Sequence, residues 1–140
     1  MYLLDTNVIS ELRKIPVNRA DRTVLAWATE ERLGSCWLSV ITLTEVERGV
    51  LLVGRKDPVQ AHRIAAWLHQ SLEVRFDARI LPVTRSLALA APTCQVPNPM
   101  QTEDALLAGT ASIAGFTLVT RNTAHFSRTS VKVLNPWLGT

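Results

Sequence analysis

The stretch Leu3-Leu4-Asp5-Thr6-Asn7-Val8-Ile9-Ser10 sets a carboxylate at the end of an apolar run and follows it at once with residues that can open a helix. Tyr2–Leu4 reads as a buried strand, and Thr6–Leu12 as a short helix that ends before Pro16. In open α/β folds the crevice beyond the carboxyl ends of parallel strands takes the ligand, so an Asp leaving the first strand points at the functional face. Asp5 can equally serve as the cap of the helix that begins at Thr6.

Working outward, Asn18 or Asp21 can cap a second helix that runs to about Arg32 and is closed by Gly34. Cys36–Ser39 is a second short strand, and residues 40–53 form a helix apolar on nearly every side, which predicts a central buried element. Asp57 and Pro58 form a cap and first-turn pair, after which Ala61, Ile64, Ala65, Leu68 and Leu72 make the stripe of a long helix. A third strand is expected at 80–83 and a helix at 85–91. Pro92, Pro97 and Pro99 then mark a loop. Thr102 can cap a helix to Ala114 that Gly115 stops, and strands are expected at 117–120 and 131–134. Strands alternating with helices predict a parallel α/β sheet of four to five strands.

The 140 residues, 47% hydrophobic, fit one domain able to bury a core without staples. Cys36 and Cys94 lie far apart with no paired spacing and no secretion signal opens the chain, so a reducing cytoplasm is expected. Charges interrupt every apolar run before the ~18 residues of a membrane span, so no membrane is expected. The net charge of +3 permits a polyanionic partner without demanding one. Most of the positive charge is arginine, a good phosphate ligand, but it is scattered rather than clustered.

Two further acids stand in apolar settings: Glu45 in Val40-Ile41-Thr42-Leu43-Thr44-Glu45-Val46, and Asp104 in Thr102-Glu103-Asp104-Ala105-Leu106-Leu107-Ala108. Such acids are costly unless paired or metal-bound. Two like charges about 4 Å apart at an effective dielectric near 20 repel by roughly 4 kcal/mol. A hard cation such as Mg²⁺ or Mn²⁺ relieves that repulsion and is held through oxygen ligands. Against this, Asp104 and Glu103 can merely complement a helix dipole. Glu47 has apolar neighbours similar to those of Glu45, and periodicity does not choose between them.

Other chemistry is poorly served. His62 and His69 are not at the i, i+4 spacing of a zinc pair, and His125 is remote in sequence. There is no GxSxG nucleophile motif and no glycine-rich phosphate loop, and Cys36 in an apolar strand reads as an inert core thiol. Trp27, Trp37, Trp67 and Trp137 fall in apolar patterns that suit core or interface.

Taken in order, Leu3-Leu4-Asp5-Thr6-Asn7-Val8-Ile9-Ser10-Glu11, Leu38-Ser39-Val40-Ile41-Thr42 running into Glu45-Val46-Glu47-Arg48-Gly49, Asp104-Ala105-Leu106-Leu107-Ala108-Gly109-Thr110-Ala111, Leu118-Val119-Thr120-Arg121-Asn122 and Asn135-Pro136-Trp137 resemble PIN-domain toxins of the VapC type, in particular their FitB-like branch. The resemblance covers nearly the whole chain. It implies a single PIN domain over residues 1–140, an α/β/α sandwich around a central parallel sheet. It further implies a Mg²⁺- or Mn²⁺-dependent endoribonuclease acting as the toxin of a toxin-antitoxin pair. It selects Glu45 over Glu47, since the family's glutamate precedes an aliphatic residue and, four positions on, a glycine.

On the same resemblance Asp5, Glu45 and Asp104 become the catalytic metal ligands, Thr6, Asn7 and Thr120 the residues that orient them, and Asn122 a further supporting position. The family often adds a fourth acid where this chain has Asn122 or His125, which favours one metal, or a second arriving with RNA phosphate. Arg48, Arg121 and Arg128 are candidate phosphate contacts. The implied partners are an antitoxin covering the acidic site, RNA such as tRNA, operator DNA through the antitoxin complex, and a second copy in a homodimer. Two alternatives are a degenerate PIN module that binds RNA or a partner without cutting, and an aspartyl-phosphate phosphatase using Asp5. The phosphatase lacks its second Asp, since position 7 is Asn, and has no lysine in a matching context.

Overall fold

A computed structural model describes residues 1–139. Five parallel strands form the sheet, β1 (Tyr2–Leu4), β2 (Cys36–Ser39), β3 (Ile80–Leu81), β4 (Thr117–Val119) and β5 (Val133–Leu134), in the order β3-β2-β1-β4-β5. β1 is central, pairing with β2 through Tyr2 opposite Cys36 and with β4 through Leu4 opposite Val119. The chain lays β2 and β3 to one side, then crosses over to lay β4 and β5 on the other. That reversal at β1 opens a crevice beyond the ends of β1 and β4.

Alternation along the strands sorts side chains to two faces. Leu4, Cys36, Leu38 and Val119 join Val8, Ile9, Trp27, Leu68, Leu72 and Phe76 in one cluster, while Leu3 and Leu118 join Leu107, Ala108, Ala111 and Phe126 in the other. Helices α1 (Thr6–Leu12), α2 (Arg22–Trp27), α3 (Glu30–Gly34), α4 (Val40–Gly54), α5 (Pro58–Trp67), α6 (Glu73–Phe76), α7 (Arg85–Ala90) and α8 (Thr102–Ala114) surround the sheet. No helix of the described residues is long and apolar enough to cross a membrane.

Several expectations change in detail. The helix expected to run to about Arg32 is two helices. Asp21 caps α2, but Ala28 leaves the helical region (φ −81°, ψ 53°) and the Thr29 hydroxyl then caps α3 by accepting from Arg32 N–H. Asn18 instead takes a left-handed conformation after a 3₁₀ turn. α4 is not buried all round: Thr42, Val46 and Val50 face inward, whereas Leu51 and Leu52 are 67% and 58% exposed. The long helix after Pro58 passes through a π turn at Leu68–Leu72 before α6. Strands β3, β4 and β5 are shorter than the 80–83, 117–120 and 131–134 runs, and Thr102 is the first residue of α8 rather than its cap.

Two devices outside the acids hold this frame. Gly115 ends α8 in the left-handed region at φ 69°, which costs a residue without Cβ nothing. Glu11 is buried at the end of α1, where it accepts from Lys14 Nζ at 2.7 Å and Asp21 N–H at 2.6 Å, tying α1 to the start of α2. Burial pushes its carboxyl up, but these hydrogen bonds and the lysine charge outweigh that and hold it below the ordinary range. Glu11 stands three residues after Val8 in an apolar stripe, and that placement is the sequence signal for it.

Candidate active site

Asp5 leaves the central strand and its backbone N–H still donates to Val119 O of β4, so its side chain sits at the crevice. The carboxylate is 7% exposed. Oδ1 accepts from Thr6 N–H at 2.7 Å, and Oδ2 accepts from Asn7 Nδ2 at 2.8 Å and from the Thr120 hydroxyl at 2.6 Å. Thr120 directly follows β4 and is fully buried; its oxygen in turn accepts from Asn7 Nδ2 and from Asn122 N–H. Asn7 Oδ1 accepts from Arg121 N–H, so one amide clamps both strand ends. Asp5 is thus the cap of α1 and at the same time lies at the crevice.

Glu45 is brought in by α4. The buried Thr42 hydroxyl donates to Leu4 O at the end of β1, which fixes the first turn of α4 over the crevice and places Glu45 near the start of α1. Glu45 Oε2 accepts from the Thr6 hydroxyl in a short hydrogen bond. Glu47 faces elsewhere, 3.4 Å from His69 Nε2. Asp104 lies in the first turn of α8, and its Oδ2 accepts from His125 Nδ1 at 3.1 Å. The small residues Ala105, Ala108, Gly109 and Ala111 are buried along α8, and a Cβ at Gly109 would come within 2.8 Å of Leu87 Cδ1, so α8 lies tightly against α7 there.

The three acids feel one another. Burial pushes the Glu45 carboxyl above its ordinary range; the Thr6 hydrogen bond opposes this, and the charges of Asp5, Asp104 and Glu103 reinforce it. Burial likewise raises Asp104, opposed by His125 and reinforced by Asp5 and Glu103. A raised folded pKa contributes stability that is present at acid pH and lost as pH climbs from the ordinary carboxylate range through the raised value. In chelator, Glu45→Gln is therefore expected to melt higher than the native protein at neutral pH, with the difference shrinking toward pH 4. Calorimetry across that range checks this, and a variant that melts lower at pH 7 would show that Glu45 carries no such strain.

The donor set fits a hard cation. Glu45 Oε1 and Asp104 Oδ1 accept no hydrogen bond among the described residues, and Asp5 Oδ1 accepts one only. No three acidic, histidine or cysteine side chains among the described residues are grouped into a set that could hold a metal ion by itself. Mg²⁺ does not need one, because it keeps several waters and binds through one or two carboxylates together with substrate phosphate. Asn122 reaches the network through its backbone alone, while His125, three residues on, touches an acid directly.

The candidate arginines divide. Arg48 Nη2 is paired with Glu103 at 2.9 Å across α4 and α8, and Arg121 lies over the Trp137 ring at 5.3 Å. Arg128 lines a cavity that Asp104 also borders. The Cys36 thiol is buried in β2, and burial pushes it up to about 11.

A family model described as the PIN domain matches residues 2–132. The chain belongs to the PIN-domain family. Toxin FitB of Neisseria gonorrhoeae is 39% identical over 147 aligned residues, covering 98% of this chain and 99% of FitB. VapC ribonuclease Y4jK of Sinorhizobium fredii is 33% identical over 140, covering 98% of each. Among solved structures, a chain of FitAB bound to an IR36 DNA fragment superposes with a TM-score of 0.84 at 31% identity, over 98% of this chain and 96% of that one. This PIN domain therefore has the α/β/α fold of its relatives and stands with the VapC-type toxins.

Proposed function

We propose that this PIN domain is a Mg²⁺- or Mn²⁺-dependent endoribonuclease, the toxin of a toxin-antitoxin pair. The reading is supported by Asp5 at the end of β1, by Glu45 bonded to the adjacent Thr6, and by Asp104 lying near enough for its charge and that of Asp5 to act on Glu45. The relatives' names support it, one being a VapC ribonuclease and another a toxin. β5 lies beyond the residues that the family model matches yet completes the same sheet, which supports one domain over residues 1–140.

When bound, the cation acidifies a water and neutralises charge that builds on the phosphate. The protein supplies the geometry. Asp5 is locked by Thr6, Asn7 and Thr120, Glu45 is held by Thr6, Asp104 is held by His125, and Glu45 and Asp104 each keep one oxygen free of hydrogen bonds among the described residues. Preorganised groups of this kind need not reorganise as charge develops. No protein nucleophile is required, and the Asn7 amide occupies the place where a phosphatase would set its second Asp.

An antitoxin that covers the acids, operator DNA bound through that complex, a homodimer and a cytoplasmic location complete the proposal. The first two are supported by the FitAB assembly on DNA. The test is incubation of purified, antitoxin-free protein with structured RNA such as tRNA. Cutting that EDTA abolishes and Mg²⁺ or Mn²⁺ restores is expected. RNA binding without cutting at any divalent-ion concentration would establish the degenerate module instead.

His125 also sets an expectation for metal number. With imidazole rather than carboxylate beside Asp104, the protein is expected to bind one divalent ion appreciably. His125→Asp should strengthen binding or admit a second ion, and Asn122→Asp should do less, since among the described residues the Asn122 side chain forms no hydrogen bond with the acids whereas His125 does. Mn²⁺ titration calorimetry decides this, and two tight sites in the native protein would sink it.

A further inference from the structure

A cavity of about 410 Å³ opens directly beside Asp104. One wall is the segment from Asn98 through Met100 and Gln101 to the first turn of α8; the other carries His125 and Arg128. The volume is within the range of small-ligand pockets. A cavity of similar size, about 430 Å³, lies among Leu12, Leu25, Leu33 and Phe76, is lined mainly by apolar side chains and includes none of the three acids.

Resting on the nuclease reading, we propose that the cavity beside Asp104 seats the unpaired nucleotide next to the scissile phosphate, and that Asn98 and Gln101 read its base. The wall is built for recognition. Gln95 Nε2 donates to Met100 O at 2.9 Å and to Thr102 Oγ1 at 3.3 Å, bracing the segment against the start of α8. The Asn98 and Gln101 amides form no hydrogen bond among the described residues, so each keeps a donor and an acceptor for a base edge.

Opposite them, His125 is oriented by Asp104. His125 Nδ1 lies 3.1 Å from Asp104 Oδ2, which holds the flat ring where an unstacked base can lie against it. Arg128 has no ion-pair or hydrogen-bond partner among the described residues and is placed to meet a phosphate, a contact that positions RNA without reading it. The base seated here would be an unstacked one, as in a loop or a single strand.

The test measures binding and cutting separately. Fluorescence anisotropy in EDTA, with short single-stranded oligoribonucleotides that differ at one position, reads the cavity whether or not the protein cuts. Native protein is expected to prefer one base by about 5- to 100-fold, the range a good two-bond contact confers. The double variant Asn98→Ala/Gln101→Ala should reduce that preference to under about 2-fold. Gln101→Glu, which exchanges a donor for an acceptor, should alter which base is preferred. Arg128→Ala should weaken all oligonucleotides alike and lower the salt dependence.

Absence of base preference in the native protein overturns the proposal, as does a preference that survives in the double variant. Unchanged RNA binding with lost affinity for a partner protein would overturn it too, showing a peptide groove instead. Mapping of cut ends on a long RNA reports on the nuclease reading by itself: base preference without cutting would remove that reading and with it the scissile phosphate, leaving only base recognition by Asn98 and Gln101.

Discussion

On the proposed nuclease reading, Asp5→Asn, Glu45→Gln and Asp104→Asn are each expected to lower RNA cleavage by about 100- to 1,000-fold or more, the scale seen when one group that stabilises developing charge is lost. Each exchange keeps size while removing a charge and turning one acceptor oxygen into a donor. The Asp5 carboxyl has three donors around it, and an asparagine there retains one acceptor oxygen for them. Circular dichroism should therefore show a native fold in all three. Growth arrest on expression should disappear with cleavage. Glu47→Gln and Glu103→Gln are the controls: Glu47 faces His69, and Glu103 forms an exposed pair with Arg48 worth at most about 1 kcal/mol. If the three acid variants cut at near-native rate while folded, the cluster is not the active site.

Phe126→Ala costs about 3–5 kcal/mol, a large share of the 5–15 kcal/mol that holds a typical domain together. Phe126 is 1% exposed and packs against Leu3, Leu107, Leu118 and Ala111, joining the far face of the sheet to α8. It also anchors the 3₁₀ turn Thr123–Phe126, which carries His125 to Asp104. Truncating it removes core contacts and loosens that turn together. Its neighbour serves as the contrast, because the His125 side chain is 56% exposed and His125→Ala should change stability by no more than about 0.5 kcal/mol. Urea denaturation of both variants decides the matter; a loss under 1 kcal/mol for Phe126→Ala would mean that the cluster repacks freely.

The elements most legible in the sequence were those fixed by local chemistry. Asp57 followed by Pro58, and Gly115 after Ala114, mark ends that nearby residues dictate, and the structure has them there. The division of α2 from α3 was not legible. Nothing in residues 22–32 forbids a continuous helix; Thr29 becomes a cap because Trp27 and Leu33 must both reach the core, and a straight helix would not turn both inward. The helical pattern of residues 40–53 was equally misleading about burial. Leu51 and Leu52 look like core residues by type, yet α4 docks through Val46 and Val50.

Glu45 and Glu47 show the same boundary at the site. Two positions apart on one helix, they point roughly 200° apart around its axis, and the apolar pattern on either side is alike. Family resemblance chose Glu45. The structure sets Glu45 against the Thr6 hydroxyl through the tie between Thr42 and Leu4, a contact between residues 38 positions apart in the chain.

By itself the sequence determined the alternation of strands and helices, the parallel sheet that alternation requires, and three acids standing in apolar surroundings, because each is a consequence of residue type and short-range spacing. Only the tertiary structure decided that His125 rather than the Asn122 side chain meets Asp104, that Arg48 is engaged by Glu103, and that a braced polar cavity adjoins Asp104. Those outcomes depend on how α4, α8 and the turn after β4 dock against one another. Docking is governed by long-range packing of buried side chains, which no local pattern encodes.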